Sequence, residues 1–139
     1  PTITDPGNGF MPITVSTYNH RNNSIYIHSS RGYTRSGRQK PELAAPGVEV
    51  QGPSLLPPSG DGGVSFSRRS GSSVAAAIMA GAVADIQSWS LKETETVLTS
   101  TAVKSLLIRG ADRNPDLSYP NRQWGYGTLN LYASFLLIR

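Results

Sequence analysis

The hydrophobic pattern divides the chain into a strand-like first half and a helical second half. Up to about residue 70, apolar and polar residues alternate over short stretches that end at proline, glycine or asparagine, as in strands joined by turns. The extended segments predicted here are Ile13–Tyr18, Ser24–His28, Glu42–Ala45, a segment at Val48 and Val50, and Val64–Ser67. Residues 29–39 are predicted to form an exposed polar loop, and residues 52–63 a turn-rich surface excursion.

The second half opens with a run of good helix formers, Ser73–Trp89, which has alanine at six positions. Because this run is apolar nearly all the way round, it predicts a helix inside a domain, and Gly81 within it predicts close packing against a neighbour. Further helices are predicted at Leu91–Thr99 with Ser90 as N-cap, at Thr101–Arg109 and at Leu129–Ile138. Strands followed by helices, with a buried helix between them, indicate an α/β layered domain.

Composition excludes several classes of protein. The 139 residues include no cysteine, which removes disulfide frameworks, thiolate metal sites and cysteine nucleophiles. A formal net charge of +4 selects no partner by itself. No window approaches the roughly 20 apolar residues of a membrane helix, and the first ten residues lack the basic and apolar regions of a signal peptide. The chain starts without methionine, so we expect a processed product or a fragment.

One basic segment needs separate consideration as a nucleic-acid contact. Its members are Arg31, Arg35, Arg38 and Lys40, with Tyr33 among them. Such residues can contact phosphates, but a solvated basic loop has the same composition and is the interpretation we favour.

The candidate for chemistry is Gly71-Ser72-Ser73, at the first turn of the predicted buried helix. A serine hydroxyl needs a base to take its proton, and the anion formed by its attack needs stabilisation. The unpaired amides and partial positive charge of a helix N-terminus could hold such an anion, with the N–H of Ser73 as a donor. A serine that merely caps the helix has the same pattern, so these residues alone leave both interpretations open.

The surroundings of this serine resemble the subtilisin-like serine proteases, or subtilases. GSSVAAAIMAG resembles their Gly-Thr-Ser-x-Ala nucleophile motif, with Ser72 at the usual threonine and Gly81 eight residues beyond Ser73. Three further elements follow the family order: Asp5-Pro6-Gly7 before the strand ITVST, Ala45-Pro46-Gly47 ahead of the serine, and the segment Gly125–Asn130 (GYGTLN) after it.

The resemblance implies an α/β fold with a mostly parallel sheet and a buried central helix that starts at the nucleophile. It implies that Ser73 is catalytic, that Gly71 and Ser72 form the oxyanion and nucleophile turn, and that Pro6 and Gly7 form a wall of the substrate pocket. A cis Asp5–Pro6 bond is also expected. Residues 1–139 then correspond to the C-terminal part of a catalytic domain, because the family's catalytic Asp, catalytic His and oxyanion Asn precede this region. The chain alone should therefore be inactive.

Neither histidine is expected to replace the missing base. His20 and His28 fall in a part of the pattern that corresponds to non-catalytic strand and loop. Asp85 follows Ser73 by about three helical turns, too far to orient a base there.

Residues 17–48 and 106–132 look most like the clostridial spore-germination proteases within the family. That likeness implies limited proteolysis of a cortex-lytic proenzyme, and a spore-associated or extracellular location in a spore-forming bacterium. It implies a protein or peptide substrate and either the missing N-terminal half or a larger parent chain as partner, without nucleic acid or membrane. No cofactor is required; calcium is common among subtilases, but no dense carboxylate cluster is evident here. The alternative is a pseudoprotease that binds or signals in germination.

Overall fold

The structure is a computed structural model that describes residues 1–56 and 62–138. Its strands are β1 (Val15–Asn19), β2 (Ser24–Ile25), β3 (Leu43–Pro46), β4 (Val50–Pro53) and β5 (Phe66–Arg69). Its helices are α1 (Ser72–Thr94), α2 (Ser100–Gly110) and α3 (Leu131–Leu136). The α/β class expected from the sequence is confirmed.

The main sheet has the order β2-β1-β3, with β1 parallel to β3 and antiparallel to β2. The GYGTLN segment follows the other edge of β3: Tyr126 N–H donates to Glu42 O at 2.8 Å, and Leu129 N–H donates to Ala44 O at 2.8 Å. The strands β4 and β5 form a separate antiparallel hairpin. The chain therefore enters α1 directly from this hairpin, beside the end of β3.

The core lies between this sheet and the helices. Helix α1 packs on β1 and β3, and α2 packs on α3. The buried apolar cluster comprises Leu43, Met79, Ile86, Val103, Leu106 and Leu107. Burial of side chains of this size is the main stabilising contribution available to a chain without disulfides.

Only one side of α1 is buried, which corrects the expectation of a helix enclosed on all sides. The buried residues Ala75, Met79, Ala82, Ile86 and Ser90 form a single stripe, because they recur at helical spacing. The opposite face is exposed and small, and a Cβ added at Gly81 would meet no atom of the described chain within 4 Å. The close packing predicted at Gly81 is therefore absent among the described residues. By length and mean hydropathy (1.3), α1 could also cross a membrane, a criterion that the core helix of a folded domain meets as well.

The prediction of a separate helix at Leu91–Thr99 is wrong. Helix α1 continues through this point to Thr94, because Ser90 is fully buried and donates its hydroxyl to Thr96 O at 2.7 Å instead of capping a new helix. The N-cap of α2 is Thr99, whose hydroxyl accepts from Ala102 N at 3.2 Å. The helices predicted at Thr101–Arg109 and Leu129–Ile138 are present, the latter shortened to Leu131–Leu136.

In the first half of the chain, the structure differs from the sequence-based predictions mainly in the loops. The strand predicted at Ser24–His28 is reduced to two residues, and part of the predicted excursion 52–63 lies outside the described residues. The loop 29–39 is not uniformly exposed, since Ser29 and Thr34 are buried. The basic residues are also partly internal, because Lys40 is only 3% exposed and the Arg38 guanidinium stacks 3.9 Å above the Phe10 ring. This geometry does not favour a phosphate-binding patch.

Candidate active site

The ends of β1 and β3 position the first turn of α1. The N–H of Gly71 donates to Gly47 O at 2.8 Å, and the N–H of Gly47 donates to Tyr18 O at 3.0 Å. A backbone chain of hydrogen bonds thus runs from the end of β1, through the Ala-Pro-Gly element, to the residue that caps α1. The position of Ser73, two residues further on, is consequently fixed by the sheet.

Gly47 is required at this junction for space. A Cβ there would overlap Thr17 Cγ2 and would lie 2.8 Å from Gly71 O and 3.3 Å from Ala75 Cβ. The neighbouring residues cannot easily move: Thr17 and Ala75 are fully buried, and Gly71 is the N-cap of α1. The glycine of the Ala-Pro-Gly element therefore allows α1 to approach the sheet closely.

The structure brings four of the five predicted site residues together in one cleft of about 460 Å³, and the fifth, Gly71, is the N-cap of α1 next to them. Pro6 and Gly7 line one part of it, and Ser72 and Ser73 line another. The Asp5–Pro6 peptide bond is cis, as expected. Residues separated by more than 60 positions in sequence thus share a single solvent-accessible depression.

Ser73 also lines a second cleft, of about 560 Å³, formed against the β4–β5 hairpin. Leu55, Leu56 and Arg69 contribute to its walls. Sequence reasoning did not assign this hairpin to the site. The sequence does contain one indication that the hairpin belongs to the site: its second strand leads directly into the predicted nucleophile turn.

The N-terminus of α1 is available to an anion. Its cap is Gly71, which has no side chain to satisfy the first amides, and no acidic residue lies in the first turn. Ser72 and Ser73 are exposed. The partial positive charge at the start of this 23-residue helix therefore lies at the turn whose residues Ser72 and Ser73 line the first cleft.

Among residues 1–56 and 62–138, no histidine lines either cleft that Ser73 lines, and Asp5 is the one carboxylate that does. Neither His20 nor His28 lines either cleft, and the His28 ring packs edge-on against Tyr26 at 5.2 Å. Asp85 lies twelve residues along α1 from Ser73, roughly 18 Å at 1.5 Å per residue. The described part of the chain also contains no cluster of three His, Asp or Glu side chains that could hold a metal ion.

Comparison with known proteins identifies the fold. Residues 1–127 match the subtilase family of peptidases. The solved structure of the CspB protease of Clostridium perfringens is similar, at 30% identity and a TM-score of 0.83, over 99% of this chain and 29% of the CspB chain. The prenylagaramide maturation protease PagA (23% identity, TM-score 0.70, 97% of this chain and 45% of that one) shares the fold. So does a lanthipeptide protease (21% identity, TM-score 0.72, 97% and 44%).

This chain therefore spans less than half the length of these solved relatives. No curated protein sequence matches it significantly. The family match nevertheless covers most of the chain and includes the strand junction, the predicted nucleophile turn and α1. The chain belongs to the subtilase family.

Proposed function

We propose that the full-length protein is a subtilisin-like serine endopeptidase whose nucleophile is Ser73. The observation that carries this proposal is the shared cleft: an exposed serine at the start of α1, where no side chain caps the helix, lines the same depression as Pro6 and Gly7. A simple capping role would not require a substrate-sized cleft on either side of the serine.

The geometry supports acyl transfer. A base removes the proton from Ser73 Oγ as this oxygen attacks the carbonyl carbon of the scissile peptide bond. The carbonyl oxygen becomes an anion, which the N–H of Ser73 and the partial charge of α1 stabilise, with Gly71 and Ser72 leaving room in the turn. The protonated base then transfers the proton to the leaving amine, and water hydrolyses the resulting ester in a second, equivalent cycle.

We infer that the base comes from residues outside this chain. We assign this role to the catalytic His and Asp of the N-terminal part of the catalytic domain, together with its oxyanion Asn. The exposed small-residue face of α1 supports this assignment, because such a face permits close packing of a missing layer. The chain alone should be inactive, since loss of triad members costs several orders of magnitude in rate.

The substrate is proposed to be a protein or peptide, without a required cofactor and without a nucleic-acid or membrane partner. The likeness to the CspB protease supports a role in limited proteolysis of a cortex-lytic proenzyme during spore germination. A spore-associated or extracellular location would fit that role.

Substitution of Ser73 tests the enzymatic proposal. In the full-length protein, Ser73→Ala should abolish cleavage of a proenzyme or casein substrate, whereas Ser118→Ala, at an exposed loop serine, should cleave like wild type. Equal cleavage by Ser73→Ala and wild type would refute the assignment.

The alternative is a pseudoprotease with an altered upstream His or Asp. A fluorophosphonate probe separates the two, because it reacts with a serine only when a base activates it. Labelling of the wild-type full-length protein supports the enzyme. A folded protein that resists labelling, yet still binds its germination partner, supports the pseudoprotease.

A further inference from the structure

The wall of the substrate cleft is a loop whose backbone carbonyls are held by side chains from elsewhere in the chain. We call residues 5–14 the wall loop. Four of its carbonyl oxygens accept side-chain donors from outside the loop: Asn8 O from Arg38 (2.7 Å), Phe10 O from Lys104, Met11 O from Ser100 (2.6 Å) and Pro12 O from Lys40 (2.8 Å). Since the loop contains no strand or helix, these contacts determine its shape.

Glu42 lies at the centre of this arrangement. One carboxylate oxygen accepts from Lys40 Nζ at 2.6 Å and lies 3.2 Å from Lys104 Nζ. The other accepts from the backbone N–H of Thr14, at the end of the wall loop, at 2.7 Å. One carboxylate thus orients both lysines that hold the wall loop and also binds that loop directly.

The cluster is buried, so its charges depend on one another. The side chains of Lys40 and Glu42 are 3% and 9% exposed, and that of Lys104 is 16% exposed. Burial lowers the pKa of Lys40 from its usual value, and its hydrogen bond and charge interaction with Glu42 oppose this change. Loss of the carboxylate would leave two neighbouring ammonium groups without a counter-charge, which strongly disfavours their present positions.

The contacts reach the cleft itself. Thr14 lines the cleft, and its hydroxyl donates to Gly7 O at 2.7 Å. Gly7 and Pro6 are the proposed substrate-pocket wall and line the same cleft as Ser73. A continuous path of hydrogen bonds therefore connects the Glu42 carboxylate to the wall, without contact between Glu42 and the nucleophile.

We propose that Glu42, acting through Lys40 and Lys104, is a positioning residue that fixes the wall loop and thereby determines how well a substrate side chain fits beside Ser73. This inference rests on the proposed protease function. According to this inference, substrate fit depends on a buried ion cluster that does not touch the substrate, as well as on the residues that line the cleft.

The test is a comparison of kinetic constants in the full-length enzyme. Two peptide series, with either a large or a small side chain at the position next to the scissile bond, are cleaved by wild type, Glu42→Gln and the control Glu93→Gln, which alters an exposed glutamate of α1. We expect Glu42→Gln to raise KM for the large side chain about tenfold, the equivalent of one charge-assisted hydrogen bond. The kcat value, the small-side-chain KM and the rate of fluorophosphonate labelling should change less than about threefold, because the nucleophile is not moved.

A second variant covers the case in which Glu42→Gln fails to fold. Lys104→Met removes the donor to Phe10 O while leaving Lys40 and Glu42 paired, so it should shift KM in the same direction, and Lys104→Arg should restore it. Unchanged KM values in the folded variants, or an equal loss of kcat for both peptide series, would overturn the inference. Wild-type protein that is folded but neither labelled nor active would instead overturn the proposed function, and the inference with it.

Discussion

Replacing Gly47 with alanine tests whether the Ala-Pro-Gly element positions the nucleophile by allowing close approach. The new Cβ would overlap Thr17 Cγ2 and would lie 2.8 Å from Gly71 O. Ordinary carbon–oxygen contacts are no closer than about 3.3 Å, so Gly71 must retreat by roughly half an ångström. Thr17 and Ala75 are fully buried and leave no space for the opposite adjustment.

The expected cost has two parts. Forcing one extra methyl group into a packed junction typically destabilises a protein by about 1–3 kcal/mol. Moving the start of α1 also moves Ser73, and because a 1 Å misplacement can lower a rate about 100-fold, half of that shift should lower kcat/KM about tenfold. The hydrogen bond from Gly71 N–H to Gly47 O should lengthen as well.

Gly63→Ala is the matched control. It adds the same methyl group ahead of β5, where no atom of the described chain lies within 4 Å of the new Cβ and where the residue lines neither cleft. Urea unfolding and peptide-cleavage kinetics of the full-length protein measure both effects, and Gly63→Ala should remain within about 0.5 kcal/mol of wild type. A Gly47→Ala protein with wild-type stability and wild-type kcat/KM would refute the close-approach account.

Three further predictions concern the free energy of unfolding of the full-length protein, measured by urea unfolding. Ile86→Ala, in the buried stripe of α1, should destabilise the protein by about 2–5 kcal/mol. Val97→Ala, at a side chain that is 65% exposed, should cost well under 1 kcal/mol, and equal effects of the two substitutions would contradict the packing described. Thr99→Ala should cost about 1 kcal/mol by removing the N-cap of α2, and no loss would show that the cap is not formed. Burial, and secondarily the charge of Asp112, raises the pKa of Tyr18 above its ordinary value of 10.0. Because the unfolded state therefore loses this proton at a lower pH than the folded state, stability should fall as the pH rises above about 10. Tyr18→Phe should show a smaller alkaline fall, and an identical pH profile would contradict the assigned pKa direction.

The resemblance to the subtilases predicts Ser73 and the Asp5-Pro6-Gly7 turn as site residues, and the structure places them in one cleft. The local pattern at Ser73 alone fits a helix cap equally well. Sequence reasoning did not identify Glu42, because the importance of that carboxylate depends on Lys104 and Thr14, which are distant in sequence.

The errors in the fold have a common cause. Ser90 has the local pattern of an N-cap, but its complete burial and its bond to Thr96 O override that preference and extend α1. Gly81 has the pattern of a packing contact, but no described residue covers it. Local patterns define preferences, while tertiary neighbours decide which of them are realised.

The central claim is that Ser73 is an activated nucleophile, and the most direct measurement is the site of covalent modification. The full-length protein is reacted with a fluorophosphonate, digested, and the modified peptide is sequenced by mass spectrometry. We predict a single phosphonylated residue, Ser73, with no adduct in Ser73→Ala. An adduct at Ser72 or at another serine, or substrate cleavage that continues while Ser73 stays unmodified, would contradict the claim.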